Sequence, residues 1–161
     1  MTTGSEAPTP VLDVIAPTAG QVIDLADVPD PVFSAALVGP GAAIDPERSA
    51  NTQALAPVTG TLVKLHPHAF IIRTSDGAGI LTHLGIDTVQ LNGDGFQLHA
   101  AEGDEVAAGA VIVSWDPATV ETGGRSPIVP VIALDASTEA LTVRHEPGPI
   151  KAGDVLFQWS R

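Results

Sequence analysis

Glycine (16) and proline (14) interrupt this 161-residue chain so often that a bundle of long helices is ruled out. Both residues are costly inside helices, whereas a protein of many short strands needs them at its turns. Between the breakers lie short apolar runs. Residues 11–15, 21–25, 61–65, 70–74, 80–84, 110–115, 128–134, 141–144 and 155–159 read as strands. Two places read as short helices. Asp30-Pro31 and Asp116-Pro117 each offer an N-cap aspartate followed by a proline at the first helical position, with stops near Gly39 and near Gly123-Gly124. The expected fold is all-β: an antiparallel β-sandwich or barrel with one or two short helices.

The chain also repeats itself. Ala16-Pro17-Thr18-Ala19-Gly20, followed by Gln-Val-Ile-Asp-Leu25, matches Ala56-Pro57-Val58-Thr59-Gly60, followed by Thr-Leu-Val-Lys-Leu65, 40 residues later. A second pair lies 44 residues apart, where Val106, Ala108, Gly109 and Val111 align with Ile150, Ala152, Gly153 and Val155. Two copies are too few for a solenoid and suit one domain made of two related halves. Residues 1–10 read as a flexible tail and 11–161 as the domain. The 42–51 stretch reads as a surface loop, too short to divide the chain.

Composition removes several functions. A formal net charge of -12 argues against nucleic-acid binding, because phosphate backbones recruit Lys and Arg. No apolar run approaches the roughly 18 residues of a membrane span, and the N-terminal residues lack the basic and apolar stretches of a secretory signal or of an amphipathic anchor. With no cysteine, thiolate catalysis and disulfides are excluded. A cytoplasmic location is expected.

Five histidines remain as candidate reactive groups: His66, His68, His83, His99 and His145. His99 and His145 sit among polar residues near turns and read as surface histidines. His68 precedes the run 70–74, and His83 lies late in the run 80–84. The link between these runs, Thr74 to Gly79, has hairpin composition. Pairing across it brings 70–74 opposite 79–83 and His83 toward His68. Two imidazoles facing one cavity permit metal binding, acid–base work or nucleophilic catalysis. Phosphoryl transfer suits the pair, because one neutral ring can attack phosphorus while the other donates to its oxygens.

The residues around these histidines resemble a known family. Pro67-His68-Ala69-Phe70 and His83-Leu84-Gly85-Ile86-Asp87-Thr88-Val89 look like the two histidine motifs of glucose-type enzyme IIA components of the bacterial sugar phosphotransferase system. Ile15-Ala16-Pro17 with Gly20, the run from Asp27 to Phe33, Asn92 to Phe96 and Gly103 to Val106 fit the same pattern in the same order. The resemblance implies a duplicated β-sandwich or barrel. It implies that His83 accepts the phosphoryl group through Nε2, that His68 stabilises it, and that the carbonyl of Gly85 orients His83. It further implies HPr as donor and a IIB cysteine of a sugar permease as acceptor, with regulatory binding as an added role. Asp30 and Asp87 match acidic rim positions that meet a basic donor. Val32, Phe33, Val38, Phe70 and Leu84 are the expected apolar docking ring. No cofactor is required. His66, Thr82 and Leu84 depart from the family pattern, which commonly has threonine, an aliphatic residue and phenylalanine there.

One competing reading is a zinc hydrolase. His66 and His68 would share a strand face by the period of two, and with His83 they would form a three-imidazole zinc site. Zinc on His83 would occupy the lone pair that attacks phosphorus, so in the carrier reading it is expected only as an adventitious or inhibitory ligand. Against the hydrolase, the chain lacks the His-x-x-x-Asp ligand pair of zinc peptidases with a related fold. A biotinyl or lipoyl carrier needs a lysine at a hairpin tip, and neither Lys64 nor Lys151 fits.

Overall fold

A computed structural model describes residues 10–161; the expected tail lies outside this range apart from Pro10. Fourteen strands alternate with turns: β1 (Val11–Ile15), β2 (Gly20–Ile23), β3 (Gly41–Pro46), β4 (Thr52–Leu55), β5 (Gly60–His66), β6 (Ala69–Arg73), β7 (Gly79–His83), β8 (Phe96–Leu98), β9 (Glu105–Val106), β10 (Val111–Trp115), β11 (Val129–Ala133), β12 (Leu141–Arg144), β13 (Gly148–Ile150) and β14 (Val155–Ser160). The helices are α1 (Pro31–Ser34) and α2 (Pro117–Thr122). Both start as the sequence prescribes. The side chain of Asp30 accepts from the Val32 N–H at 2.9 Å, and that of Asp116 from the Thr119 N–H at 3.1 Å. Each satisfies a donor that the first helical turn leaves unpaired.

The strands form three open sheets. Eight strands run in the order β13-β2-β3-β11-β7-β6-β5-β9, and two three-stranded sheets run β1-β14-β12 and β4-β10-β8. None closes on itself, so the architecture is the sandwich alternative rather than the barrel. Val14, Leu62, Phe70, Ile80, Val113 and Leu156, drawn from all three sheets, are buried in one main core. A smaller cluster, with Leu25, Val28, Phe33, Ala43, Ile86 and Ile132, covers the opposite face of the large sheet. Adjacent residues serve the two faces in turn, as the pleat demands: Ala42 and Ile44 join the main core while Ala43 joins the smaller one.

This double coverage explains one error of sequence reading. Residues 42–51 are not simply a surface loop. Gly41–Pro46 is a strand between β2 and β11, and only the following residues are exposed. A strand buried on both faces carries no polar alternation, and the nearby Asp45, Glu47 and Arg48 made the segment look solvated.

The repeat is a structural duplication. Ile15 N–H donates to Pro57 O at 3.0 Å, and 40 residues on Leu55 N–H donates back to Pro17 O at 2.9 Å. Gly153 N–H bonds Ala16 O at 2.9 Å, and its counterpart Gly109 N–H bonds Ala56 O at 2.8 Å. β13 pairs with β2 through Ile150 and Gly20, as β9 pairs with β5 through Val106 and Gly60.

Candidate functional site

The site is built on the hairpin of β6 and β7. Ala69 pairs with His83, Ile71 with Leu81 and Arg73 with Gly79; this is one residue off the expected pairing of 70–74 with 79–83, because Thr74 N–H bonds Ala78 O and the hairpin closes around 75–77. His83 is the last residue of β7. His68 lies one step before β6, in the two-residue turn Pro67-His68 that joins β5 to β6. Its carbonyl accepts the Leu84 N–H at 2.7 Å, so the backbone ties the two histidines together. Their ring centroids are 5.3 Å apart, with planes at 71°.

The segment after His83 fixes the ring. His83 Nδ1 lies 2.5 Å from the carbonyl oxygen of Gly85. A carbonyl only accepts, so Nδ1 carries the proton and Nε2 keeps its lone pair. Gly85 has φ +84, and a Cβ there would lie 2.6 Å from the Thr88 methyl; no larger residue fits this turn. Thr88 Oγ1 donates to Leu84 O at 2.8 Å, Gly85 N–H to Ile128 O at 3.1 Å, and Ile86 N–H to Ser126 O at 2.8 Å. The carbonyl that holds His83 is thus held in turn. Sequence reading named Gly85 but missed Thr88 and Ser126, whose roles come from folding 84–88 against 126–128.

From the other side, α1 lays Phe33 against the His83 ring, with centroids 5.3 Å apart. Burial lowers the pKa of His83, and the Gly85 carbonyl and the charges of Asp30 and Asp87 partly offset this. His68 is lowered to about 4, first by burial and then by the neighbouring charges of His83 and His66. Both rings are therefore neutral at pH 7, the state a nucleophile and its hydrogen-bonding neighbour require.

The expected apolar ring is only partly present. Val32 is 42 % exposed and Val38 half-buried. Phe33 is buried yet touches His83. Phe70 and Leu84 are 1 % and 0 % exposed and belong to the main core, so they offer no docking surface. Alternation is the reason: Phe70 follows Ala69 and Leu84 follows His83, which turns each inward. Leu37 (70 % exposed) and Val89 (57 %) are exposed apolar residues that the sequence reading passed over. Leu37 N–H bonds Val32 O, and Val89 lies two residues after Asp87.

The three-imidazole metal site does not form. His66 ends β5 and His68 lies beyond the strand in the turn, so the period of two does not apply. Their rings stack at 24° with centroids 5.6 Å apart instead of converging on one point. Among the described residues, no group of three His, Cys, Asp or Glu side chains could hold a metal. His99 and His145 lie away from the pair: His99 Nε2 is 2.6 Å from Ser114 Oγ, and His145 Nδ1 is 2.6 Å from Glu146 O.

Residues 12–138 match the family model for the phosphoenolpyruvate-dependent sugar phosphotransferase system, EIIA 1. The chain belongs to this EIIA family. As an EIIA component it is a phosphotransferase carrier. It is 37 % identical over 153 residues to the PTS system glucose-specific EIIA component of Halalkalibacterium halodurans, covering 93 % of this chain and 87 % of that one. It is 42 % identical over 123 residues to the protein of the same name from Oceanobacillus iheyensis, covering 75 % and 73 %. The solved structure of glucose permease IIA from Mycoplasma capricolum superposes with a TM-score of 0.85 at 36 % identity, covering 98 % of this EIIA chain and 99 % of that one. These relatives give the hydrolase reading no support. Among the described residues, no helix is long and apolar enough to cross a membrane.

Proposed function

We propose that His83 accepts a phosphoryl group from phospho-HPr and passes it to the cysteine of a IIB domain. The observation that carries this reading is the 2.5 Å contact between His83 Nδ1 and Gly85 O, which leaves Nε2 free to attack. In loading, the Nε2 lone pair forms a bond to phosphorus as the bond to the donor nitrogen breaks, and that electron pair returns to the donor imidazole. In discharge, a thiolate sulfur bonds to phosphorus and the Nε2–P electron pair returns to His83. The proton stays on Nδ1, donated in a hydrogen bond to Gly85 O, in both steps. A ring N–H of His68 donates to the transferred oxygens, so catalysis is by positioning and charge stabilisation.

Asp30 and Asp87 supply an acidic edge for a basic donor, and Val32, Phe33 and Val38 an apolar one. The step needs no cofactor. Zinc bound by His68 and His83 would occupy Nε2 and inhibit loading. The names of the two relatives favour a glucose permease as the first acceptor to test. In this reading the protein works in the cytoplasm, peripheral to that permease when the two are in complex, and its phosphorylation state is available for regulatory binding.

The reading is tested by incubation with phosphoenolpyruvate, enzyme I and HPr. One acid-labile phosphate per chain should appear on His83, and His83→Ala should abolish it. Labelling that survives this substitution overturns the assignment.

A further inference from the structure

His66 has no task in the transfer proposed above, yet the sheet sets it in line with His83. Residues directly opposite in an antiparallel pair share a face. His66 of β5 lies opposite Ala69 of β6, and Ala69 lies opposite His83 of β7. His66, Ala69 and His83 therefore form one row across three strands. The next row, Leu65, Phe70 and Thr82, faces inward: Phe70 and Thr82 are buried, and Leu65 packs against the main core.

His66 and His83 stand two strand spacings apart, about 9.6 Å at roughly 4.8 Å each. Between them Ala69 contributes only a methyl group and leaves a gap. His68, in the turn, sets its ring in that gap. Its centroid is 5.6 Å from that of His66 and 5.3 Å from that of His83.

The backbone of the turn is fixed. His68 O accepts the Leu84 N–H at 2.7 Å. Pro67 has a locked φ and packs against Gly93, where a Cβ would lie 3.2 Å from Pro67 Cγ. The ring of His68 is not held in this way. Among the described residues, the histidine rings with hydrogen-bond partners are those of His83, His99 and His145. The half-buried His68 ring is thus oriented by packing alone. It lies at 71° to the His83 ring and at 24° to the His66 ring. The stack on His66 sets its plane, because rotation of the ring breaks the face-to-face contact.

From this geometry we infer that His66 is a positioning residue for phosphoryl transfer: it stacks on His68 and holds that ring in the orientation that serves His83. The inference rests on the carrier reading above. With the His68 ring between them, His66 acts through that ring and not on the phosphoryl group. It reduces the orientations His68 must give up before transfer. Orientation by stacking also leaves the ring N–H of His68 free for the phosphoryl oxygens, whereas a hydrogen bond to the protein would consume it.

The test uses His66→Ala, which removes the ring, and His66→Phe, which keeps a ring to stack. Each is made alone and together with His68→Gln. All are loaded with phosphoenolpyruvate, enzyme I and HPr, and discharge to the purified IIB domain is followed by rapid quench. His66→Ala should discharge roughly three- to tenfold more slowly than wild type, the scale of one aromatic contact, and His66→Phe should stay within about twofold. In the His68→Gln background His66→Ala should cost nothing further, because no ring is left to orient. NMR three-bond couplings on the unloaded protein should show one His68 rotamer in wild type and His66→Phe, and averaging in His66→Ala. Discharge of His66→Ala equal to wild type overturns the inference. So does a His66→Phe variant as slow as His66→Ala, or a His68 rotamer indifferent to both substitutions. A loss that persists in full in the His68→Gln background would mark His66 as a contact of the partner protein and also overturn it. Failure of wild type to load would instead overturn the carrier reading. His66 is exposed at a strand end, so neither substitution opens the core.

Discussion

The two copies of the repeat build the same frame and then diverge. In the first, the turn Ala16 to Gly20 leads into β2; in the second, Ala56 to Gly60 leads into β5. Both copies end the turn on a glycine pressed against a neighbouring backbone. A Cβ on Gly20 would lie 2.1 Å from Asp45 O, and one on Gly60 would lie 2.2 Å from Arg73 O. After that, β2 runs into the segment that carries Asp30, α1 and Phe33, whereas β5 runs into the turn with His68 and the hairpin that ends at His83. One copy supplies the histidine pair, and the other supplies the cover and Asp30. Close backbone approach fixes the shared frame, and what each copy inserts after its strand determines the chemistry.

This contrast is open to attack at the frame first. Gly20→Ala and Gly60→Ala should both be severely destabilising, by about 3 kcal/mol or more, because backbone rather than a flexible side chain must move. Equilibrium urea unfolding measures both. A large loss at one site and none at the other would show that the two copies are not equivalent frames.

The next effect belongs to the second copy alone. His68→Gln keeps one side-chain donor, so the protein should still load, but onward transfer should slow by roughly tenfold to a thousandfold, the range for a positioned donor. Rapid-quench kinetics of each step measure it. Unchanged rates in both directions would remove His68 from the mechanism.

A smaller effect tests the first copy's hold on the second. The charge of Asp30 raises the pKa of His83 against the stronger lowering by burial. Asp30→Asn should therefore lower it further. Both histidines titrate below the ordinary imidazole value of about 6.5. Between pH 6.5 and the folded values the unfolded chain binds more protons, so their neutral burial adds stability above that window and loses it as pH falls. NMR titration should find His68 near 4 and His83 below 6.5, with His83 lower still in the variant. A rise in the variant would contradict the arrangement.

Much of this was legible in the sequence, for physical reasons that also mark where reading failed. Asp30-Pro31 and Asp116-Pro117 announce helix starts by local chemistry, and both helices begin there. The turn around Asp76-Gly77 gives the hairpin and brings His83 toward His68, but its exact register, with His83 beside Ala69 rather than Phe70, depends on how Thr74 and Ala78 close the turn. Strands β8, β9 and β13 have only two or three residues each, too few for a periodic signal. β3 was hidden by being buried on both faces. The inward turn of Phe70 and Leu84 was available from simple alternation once His83 was assigned to the outer face. His66 could be placed only conditionally, because Pro67 begins a turn there, which ends the period of two.

The central claim is that Nε2 of His83 carries the phosphoryl group while Nδ1 keeps its proton and donates it in a hydrogen bond to Gly85 O. NMR of the phosphorylated protein labelled with nitrogen-15 in histidine tests it directly. The predicted spectrum shows phosphorus coupled to Nε2 of His83, the Nδ1 proton retained, and His68 unmodified. Coupling to Nδ1 of His83, or to either nitrogen of His68, would contradict the account.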